Sequence, residues 1–273
     1  MNRPPVTQQR PTAAARWANA LAAWAIPEHL LAAAPSSPWE FSTSLFTRAA
    51  SRAVAGERRG PAQERALEAL PEGGSVIDVG VGGGAACLPL ATRAGLLVGV
   101  DSSRALLEAF AGAAAALGVP HRTVEGSWPG VAPEVEPADI GVSHHVLYNI
   151  AELVPFVLAL TDHARRRVVI EITADHPMAS SNQLWAAIHG IERPASPTWV
   201  DALDVLAEAG LDITYEESVR ETLGPPMDRA EAVAHARRRL CVGPERDAEI
   251  DALLPPDEGM VRRVVAVWWD GRA

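Results

Sequence analysis

The stretch Ile77-Asp78-Val79-Gly80-Val81-Gly82-Gly83-Gly84 decides the fold of this 273-residue chain. Ser75–Val79 is typical of a short buried strand, and the glycines that follow allow the backbone to turn with positive φ. Glycine also lets the chain approach a ligand closely, because no Cβ stands in the way. The stretch therefore predicts a strand, a tight turn and a helix that ends near Gly95.

The same alternation continues along the chain. Leu96–Val100 predicts a second strand that Asp101 ends, and Ser102 or Ser103 begins a helix that runs to Leu117. Further strands are predicted at His121–Val124, Ile140–Ser143 and Val168–Ile172, with a helix from about Glu152 to Ala164 between the last two. Alternating strands and helices predict an α/β fold, in which helices cover both faces of a mostly parallel sheet.

The two ends of the chain differ from this middle part. In the first seventy residues, Trp17, Leu21 and Trp24 recur at helical spacing, and we expect residues 1–70 to form a helical cap. Residues 71–273 would form the core, with helical insertions after strands five and six. The insertions and closing strands are predicted at Asn182–Ile191, Trp199–Ala209, Asp212–Glu216, two later helical stretches and Val261–Trp269.

Composition excludes several function classes. All 24 basic residues are Arg, so the chain lacks the Lys of a Walker-A loop, of a protein kinase and of a Schiff-base enzyme. The net charge of −10 disfavours binding to nucleic acid, and the two runs of three Arg are typical of solvated helix ends. Cys87 and Cys241 are too few for a disulfide framework. No stretch is long and apolar enough to cross a membrane, and we expect a cytoplasmic protein.

An acidic residue at the end of the second predicted strand points to a nucleoside-containing cofactor. A carboxylate at Asp101 can accept hydrogen bonds from both hydroxyls of a ribose. Gly80-x-Gly82-x-x-Ala85 satisfies the dinucleotide fingerprint, so an NAD(P)-dependent oxidoreductase is one interpretation. Against it, Asp78 would suit a cationic amino group better than a pyrophosphate. Seventy helical residues also precede the unit, and no Tyr-x-x-x-Lys pair exists.

Three motifs, in order, resemble those of class I S-adenosylmethionine-dependent methyltransferases. The glycine stretch is similar to their first motif, and Val98-Gly99-Val100-Asp101-Ser102-Ser103 is similar to their second. Asp139-Ile140-Gly141-Val142-Ser143-His144-His145-Val146-Leu147 is similar to their fourth strand and its turn. The resemblance covers about residues 73–172. It implies a Rossmann-like methyltransferase fold with an antiparallel last strand, and S-adenosylmethionine as cofactor.

The resemblance also implies roles for the residues that match. Asp78 would hold the methionyl amino group, Gly80 and Gly82 would line the methionine portion, and Asp101 with Ser102 would bind the ribose. Ser127 stands where the family often has an acid for the adenine, so Glu125, or the backbone of Ser127 and Trp128, would take that contact. Trp128 is a candidate for stacking on the purine, and His144 for contacting the cofactor.

Methyl transfer to a hydroxyl or an amine is helped by a general base. His145 is the leading candidate because its turn lies at the carboxyl edge of the sheet, with Tyr148 as a second catalytic candidate. Glu171, Asp175 and His176 leave the fifth strand at the same edge and are weaker candidates. A metal site is disfavoured because adjacent histidines on an extended chain point apart.

The acceptor is expected to be a small molecule, methylated on oxygen or nitrogen. Trp39-Glu40-Phe41, between two predicted helices, is a candidate lid over the cofactor. A homodimer is left open by the sequence. A third interpretation is a non-catalytic module that binds S-adenosylmethionine without transferring its methyl group.

Overall fold

The computed structural model describes residues 11–38, 60–221, 228–255 and 261–273. The strands are β1 (Gly74–Val79), β2 (Ala94–Asp101), β3 (His121–Glu125), β4 (Ala138–His144), β5 (Ala164–Thr173), β6 (Thr214–Glu221) and β7 (Val261–Asp270). The helices of these ranges are α1 (Ala13–Ala22), α2 (Glu28–Ala33), α3 (Pro61–Ala69), α4 (Arg104–Ala116), α5 (Leu153–Asp162), α6 (Asn182–His189), α7 (Trp199–Glu208), α8 (Arg229–Arg239) and α9 (Asp247–Leu253).

The seven strands form one sheet in the order β3-β2-β1-β4-β5-β7-β6. Strands β1 to β5 pair in parallel, whereas β7 lies antiparallel between β5 and β6. The expected mostly parallel sheet with an antiparallel last strand is therefore confirmed. All seven predicted strands exist, and they differ from the prediction mainly at their ends.

Alternating side chains of the strands feed two cores, one on each face of the sheet. Ile77 and Val79 pack in the core covered by α1, α5 and α7, whereas Val76 packs in the core covered by α3 and α4. Successive strand residues point to opposite faces, so the nearly continuous apolar runs of the central strands serve both cores. Because Asp78 has the parity of Val76, it faces the core of α3 and α4.

The prediction of a helix directly after the glycine turn is wrong. The connection between β1 and β2 contains one 3₁₀ turn, Leu88–Leu90, and no regular α-helix. Pro89 has no N–H to donate to the preceding turn, and β2 already begins at Ala94, so little chain remains for a regular helix.

The predicted cap of residues 1–70 is described only in part. Helix α1 packs on α7, with Trp17 fully buried in the first core. Ile26 instead packs in a third cluster with α6, α8 and α9, and helix α3 packs on the sheet through Ala62 and Ala66. These described parts thus lie against three regions, and a division of the chain at residue 70 stays a prediction. The proposed lid, Trp39-Glu40-Phe41, lies outside the described residues.

Candidate functional site

The glycine turn at the end of β1 is held closely against β2 and against the turn after β4. The N–H groups of Gly80 and Val81 both donate to the carbonyl of Val100, at 2.8 and 3.0 Å. Gly80 has a φ of 76° and Gly82 a φ of 52°, and residues with a Cβ rarely adopt such positive φ angles. A Cβ on Gly80 would clash with Cγ2 of Val146. The turn therefore needs glycine for its conformation and for the space above it.

Asp78 is a buried carboxylate directly below this turn. Its side chain is 1% exposed, and neither oxygen has a hydrogen-bond partner of good geometry among the described residues. Burial raises the pKa of Asp78 to about 7, although the neighbouring Cys87 lowers it in part. Burying a carboxylate in this way is costly unless a cation or donor joins it. The position is therefore suited to a ligand that carries a positive charge.

Asp101, at the end of β2, is tied to the glycine turn. Its Oδ2 accepts a hydrogen bond from Gly82 N–H, and its Oδ1 accepts one from Ser103 N–H, both at 2.9 Å. Each carboxylate oxygen keeps a second lone pair, so the side chain can still accept hydrogen bonds from two hydroxyl groups. Ser102 is exposed beside it. The two predicted cofactor motifs thus form one connected surface.

The residues after β3 divide into a surface group and a buried ring. Glu125, the β-sheet partner of Asp101, forms a 2.9 Å ion pair with Arg104, and Ser127 is exposed. The Trp128 ring is buried in the first core, where its Nε1–H donates to the Phe156 carbonyl at 3.1 Å. The Trp128 ring therefore packs in this core, and its stacking on a purine stays a prediction. A backbone contact from Ser127 or Trp128 stays a prediction.

The turn after β4 brings together His145 and a buried acid from β5. Nε2 of His145 lies 3.1 Å from Oε1 of Glu171, and the His145 N–H donates to the Glu171 carbonyl at 2.7 Å. Glu171 is 1% exposed, whereas the His145 side chain is 32% exposed. His145 has φ 60, an unusual conformation for a non-glycine residue. A buried carboxylate therefore orients a half-exposed imidazole at the carboxyl edge of the sheet.

This pair lies beside the glycine turn. Val146, the residue after His145, is the one whose Cγ2 would meet a Cβ on Gly80. Ser143 in β4 donates from Oγ to the Val79 carbonyl at 2.8 Å, which joins the two strand ends. His144 is half-buried and pairs in register with Glu171. The candidate base and the candidate cofactor surface consequently share one edge of the sheet.

Tyr148 does not have the environment of a general base. It is 7% exposed, and its hydroxyl donates to the Thr173 carbonyl at 2.9 Å. Burial raises its pKa far above the ordinary value. The phenol is therefore neutral and bonded to the main chain after β5, and a catalytic role for Tyr148 stays a prediction.

Aromatic rings from the N-terminal segment close one side of this edge. Trp17 stacks on Tyr148 with ring centroids 5.6 Å apart, and Trp24 stacks on His176 at 3.9 Å. His176 also meets Tyr148 edge-on at 5.1 Å. Burial and the charge of Arg193 lower the pKa of His176 to about 4, so His176 is neutral at physiological pH. These rings form an apolar wall that joins the N-terminal segment to the turn after β4 and to the loop after β5.

Two other features lie apart from this edge. A cavity of about 300 Å³, lined in part by Arg167, Trp268 and Arg272, lies near the start of β5, at the opposite edge of the sheet. Within the described ranges, no three His, Cys, Asp or Glu side chains come together as metal ligands would. No helix among those residues is long and apolar enough to span a membrane.

Sequence reasoning found most of these residues singly but missed two relationships. Glu171 was only a weaker candidate base, because its contact with His145 depends on how β4 and β5 pair. Cys87 next to Asp78 was also missed, because the expected helix would have placed residues 85–95 differently. One signal pointed to the contact between His145 and Glu171: His145 follows one parallel strand, and Glu171 lies near the carboxyl end of another.

Comparison with known proteins finds similar folds among solved structures but no relative by sequence. No protein-family model and no curated protein matches the sequence. A cyclopropane-fatty-acyl-phospholipid synthase-like protein from Lactobacillus casei superimposes with a TM-score of 0.53 and 14% identity, covering 88% of this chain and 97% of that one. The YcgJ protein from Bacillus subtilis gives a TM-score of 0.51 and 13% identity, covering 78% of this chain and 98% of its own.

A candidate methyltransferase from Bacillus halodurans gives a similar result. Its TM-score is 0.50 at 15% identity, and the superposition covers 78% of this chain and 99% of that one. At such low identity the likeness concerns the arrangement of strands and helices and not the reaction. With its strand order and its antiparallel β7, the chain has the fold of the class I S-adenosylmethionine-dependent methyltransferases.

Proposed function

We propose that this protein transfers a methyl group from S-adenosylmethionine to oxygen or nitrogen of a small-molecule acceptor, by in-line displacement. The observation that carries the proposal is the buried carboxylate of Asp78, which lies below a glycine turn that is itself bonded to Asp101. A cationic amino group would neutralise the first carboxylate, and a ribose diol would use the second. An amino acid joined to a nucleoside satisfies both, as S-adenosylmethionine does.

The residues would divide the cofactor between them. Asp78 binds the ammonium of the methionyl part, while Gly80 and Gly82 present the backbone to that part. Asp101 and Ser102 bind the ribose hydroxyls. Glu125, or the backbone of Ser127 and Trp128, contacts the adenine, and His144 lies beside the cofactor on the β4 side.

When bound, S-adenosylmethionine supplies a methyl group that is already activated on a sulfonium sulfur. The protein has to hold the acceptor in line with that group and to keep water out. Alignment of this kind can be worth about 7–11 kcal/mol. The aromatic wall of Trp17, Tyr148, His176 and Trp24 is suited to covering a partly apolar acceptor.

His145 acts as the general base, and Glu171 acts as its positioning residue. The Glu171 carboxylate lies 3.1 Å from Nε2 of His145 and would favour the tautomer that carries the proton on that nitrogen. Nδ1 would then have the lone pair that accepts the proton which the acceptor oxygen or nitrogen loses when it is methylated. The buried carboxylate also stabilises the imidazolium that results.

The oxidoreductase interpretation has less support. A dinucleotide places its pyrophosphate at the N-terminus of the helix that follows the glycine turn. Here that segment contains only the 3₁₀ turn Leu88–Leu90, and Asp78 lies below it as an acidic group. Both features disfavour a doubly negative ligand.

Calorimetry with S-adenosylhomocysteine, the demethylated product, tests the binding half of the proposal. We expect saturable binding that Asp101→Asn weakens by roughly tenfold or more, because a ribose contact is lost. Glu108→Gln, an exposed acid on α4, is the matched control and should bind as the wild type does. Absence of binding to the intact protein would refute the proposal.

Transfer of a labelled methyl group tests the chemical half. S-adenosylmethionine with an isotopic methyl is incubated with the protein and a small-molecule extract, and products are separated by mass. Labelled products that His145→Ala reduces support the enzyme. Binding without any labelled product would favour the non-catalytic module instead.

A further inference from the structure

Each ring of the aromatic wall carries an N–H or O–H group that can donate a hydrogen bond, and three of these groups are used within the protein. The indole N–H of Trp17 donates to a main-chain carbonyl at 2.8 Å, and that of Trp24 donates to another at 2.7 Å. The Tyr148 hydroxyl donates to a third carbonyl at 2.9 Å. The remaining ring is the imidazole of His176, and its donor needs a separate account.

The loop after β5 decides which nitrogen of His176 carries the proton. Nδ1 of His176 accepts a hydrogen bond from the Met178 N–H at 3.2 Å, and a backbone N–H can only donate. Nδ1 must therefore hold its lone pair, which leaves the single proton of the neutral imidazole on Nε2. The pKa of His176, which burial and the charge of Arg193 lower to about 4, agrees with a neutral ring. His176 consequently presents Nε2 as a hydrogen-bond donor and not as a base.

The Nε2–H group of His176 donates to no residue that the structure describes, and the atom keeps accessible surface on a half-buried side chain. The ring itself is held firmly. Trp24 stacks on it with ring centroids 3.9 Å apart and planes 12° apart, and Tyr148 meets it edge-on at 5.1 Å. Because the direction of this donor is set before any ligand arrives, a ligand that accepts from it loses little freedom of the protein on binding.

The Trp24 ring that supports His176 is fixed in its turn by Arg193. The guanidinium carbon of Arg193 lies 5.5 Å from the centre of the Trp24 ring and 4.8 Å from that of Trp185. Arg193 also donates hydrogen bonds to the carbonyls of Trp24 and Ala25. Cation–π contacts and main-chain hydrogen bonds together hold the indole in place. The stack is therefore a built support for the imidazole.

Two connections place His176 at the same edge of the sheet as His145. Tyr148, whose ring meets that of His176, follows His145 in the turn after β4. Glu171, whose carboxylate lies 3.1 Å from His145, precedes His176 on β5. The candidate base and the Nε2–H donor therefore both belong to the carboxyl edge, where β4 and β5 end.

On the basis of the proposed function, we propose that His176 determines specificity for the methyl acceptor by donating its Nε2–H to an acceptor oxygen other than the methylated atom. The acceptor is then a small, partly apolar molecule that carries a carbonyl, ether or hydroxyl oxygen apart from its nucleophilic atom. Small-molecule sites are mostly apolar, and a few fixed polar groups set the orientation of the ligand. A molecule without that oxygen would leave the donor unpaired once water is excluded, and it would bind less tightly.

NMR of the intact protein with isotopically labelled imidazole nitrogens tests the first step without any ligand. The resonances of His176 are assigned by their loss in His176→Phe. We expect the proton on Nε2 and an unprotonated Nδ1 at neutral pH. A proton on Nδ1 would overturn the proposal.

Ligand-detected NMR with saturating S-adenosylhomocysteine tests the specificity. The probes are meta-hydroxyacetophenone and meta-ethylphenol, which share a phenol and differ in one carbonyl oxygen. We expect the wild type to bind the ketone more tightly by roughly threefold or more. His176→Phe keeps a ring on Trp24 but lacks the donor, so it should lose this preference. His176→Gln, whose amide can donate, should regain part of it. The matched control His29→Phe, on an exposed side chain of α2, should keep the preference of the wild type.

The outcomes separate this proposal from the proposed function. A ketone that binds the wild type no better than the ethylphenol, or a preference that persists in His176→Phe, would overturn the role of His176 even where S-adenosylhomocysteine binds. Failure of S-adenosylhomocysteine to bind would instead overturn the proposed function, and the two phenols are then compared without it. Circular dichroism of His176→Phe verifies that the variant is folded.

Discussion

Nε2 of His145 lies 3.1 Å from Oε1 of Glu171, and the backbones of the same two residues are joined by a 2.7 Å hydrogen bond. The double contact fixes the direction of the imidazole as well as its position. Glu171 is almost fully buried, so its carboxylate meets little water and acts strongly on the ring. The pair is the arrangement expected of an oriented general base.

A double-mutant cycle on this pair measures its strength. We expect His145→Ala to lower the free energy of unfolding by about 1–2 kcal/mol, because Glu171 loses its imidazole partner while remaining buried. Glu171→Gln should recover part of that loss in the His145→Ala background. Urea unfolding of the four proteins gives the coupling energy, and a value near zero would show that the contact has no energetic weight.

Cofactor binding should depend on pH through Asp78. The carboxylate must be ionised to bind an ammonium group, and its pKa in the free protein is raised to about 7. The affinity for S-adenosylhomocysteine should therefore be constant above pH 7 and fall by up to about tenfold per unit below it. Calorimetry between pH 5.5 and 8.5 measures this. Asp78→Asn should bind weakly at every pH and lose the slope.

Asp78 should also affect the stability of the protein without ligand. Because its folded pKa lies above the ordinary value of 3.8, the folded state holds the proton more tightly than the unfolded state. Stability should then fall as the pH rises from about 4 to 7 and stay lower above that range. Asp78→Asn should be more stable than the wild type at pH 8 by on the order of 2 kcal/mol. A variant less stable than the wild type would contradict the interpretation that burial of the ionised Asp78 carboxylate destabilises the protein.

Gly80→Ala and Gly118→Ala separate backbone strain from crowding. Both glycines have positive φ, 76 and 69, but only a Cβ at Gly80 meets a close neighbour, Cγ2 of Val146. We expect Gly118→Ala to cost about 1 kcal/mol and Gly80→Ala at least about twice that, with weaker cofactor binding as well. Equal costs in thermal unfolding would show that the turn can move away from Val146.

Adjacent arginines on α8 should respond oppositely to substitution. Arg237→Gln breaks the pair with Asp247 and should lower the free energy of unfolding by about 0.5 kcal/mol. Arg238→Gln removes the repulsion between Arg238 and its neighbour Arg239 and should raise the free energy of unfolding by a similar amount. Chemical denaturation at low salt compares the two variants. Added salt should reduce the difference, because it screens both interactions.

Much of the fold could be predicted because the signals are local. The strand of Ser75–Val79 and the closing strand at residues 261–270 appear as apolar runs, and Asp101 ends its strand as predicted. The missing helix after the glycine turn shows the limit of this reasoning. Pro89 and the early start of β2 overrode the expected alternation.

The sequence by itself determined the chemistry that is available: the glycines, Asp78, Asp101, His145, and a charge inventory without lysine. Only the tertiary structure decided which of these groups meet. Strand register placed Glu171 next to His145, and folding bonded the Tyr148 hydroxyl to the Thr173 carbonyl. The physical reason is that motifs depend on neighbours along the chain, whereas pKa values and ion pairs depend on neighbours in space.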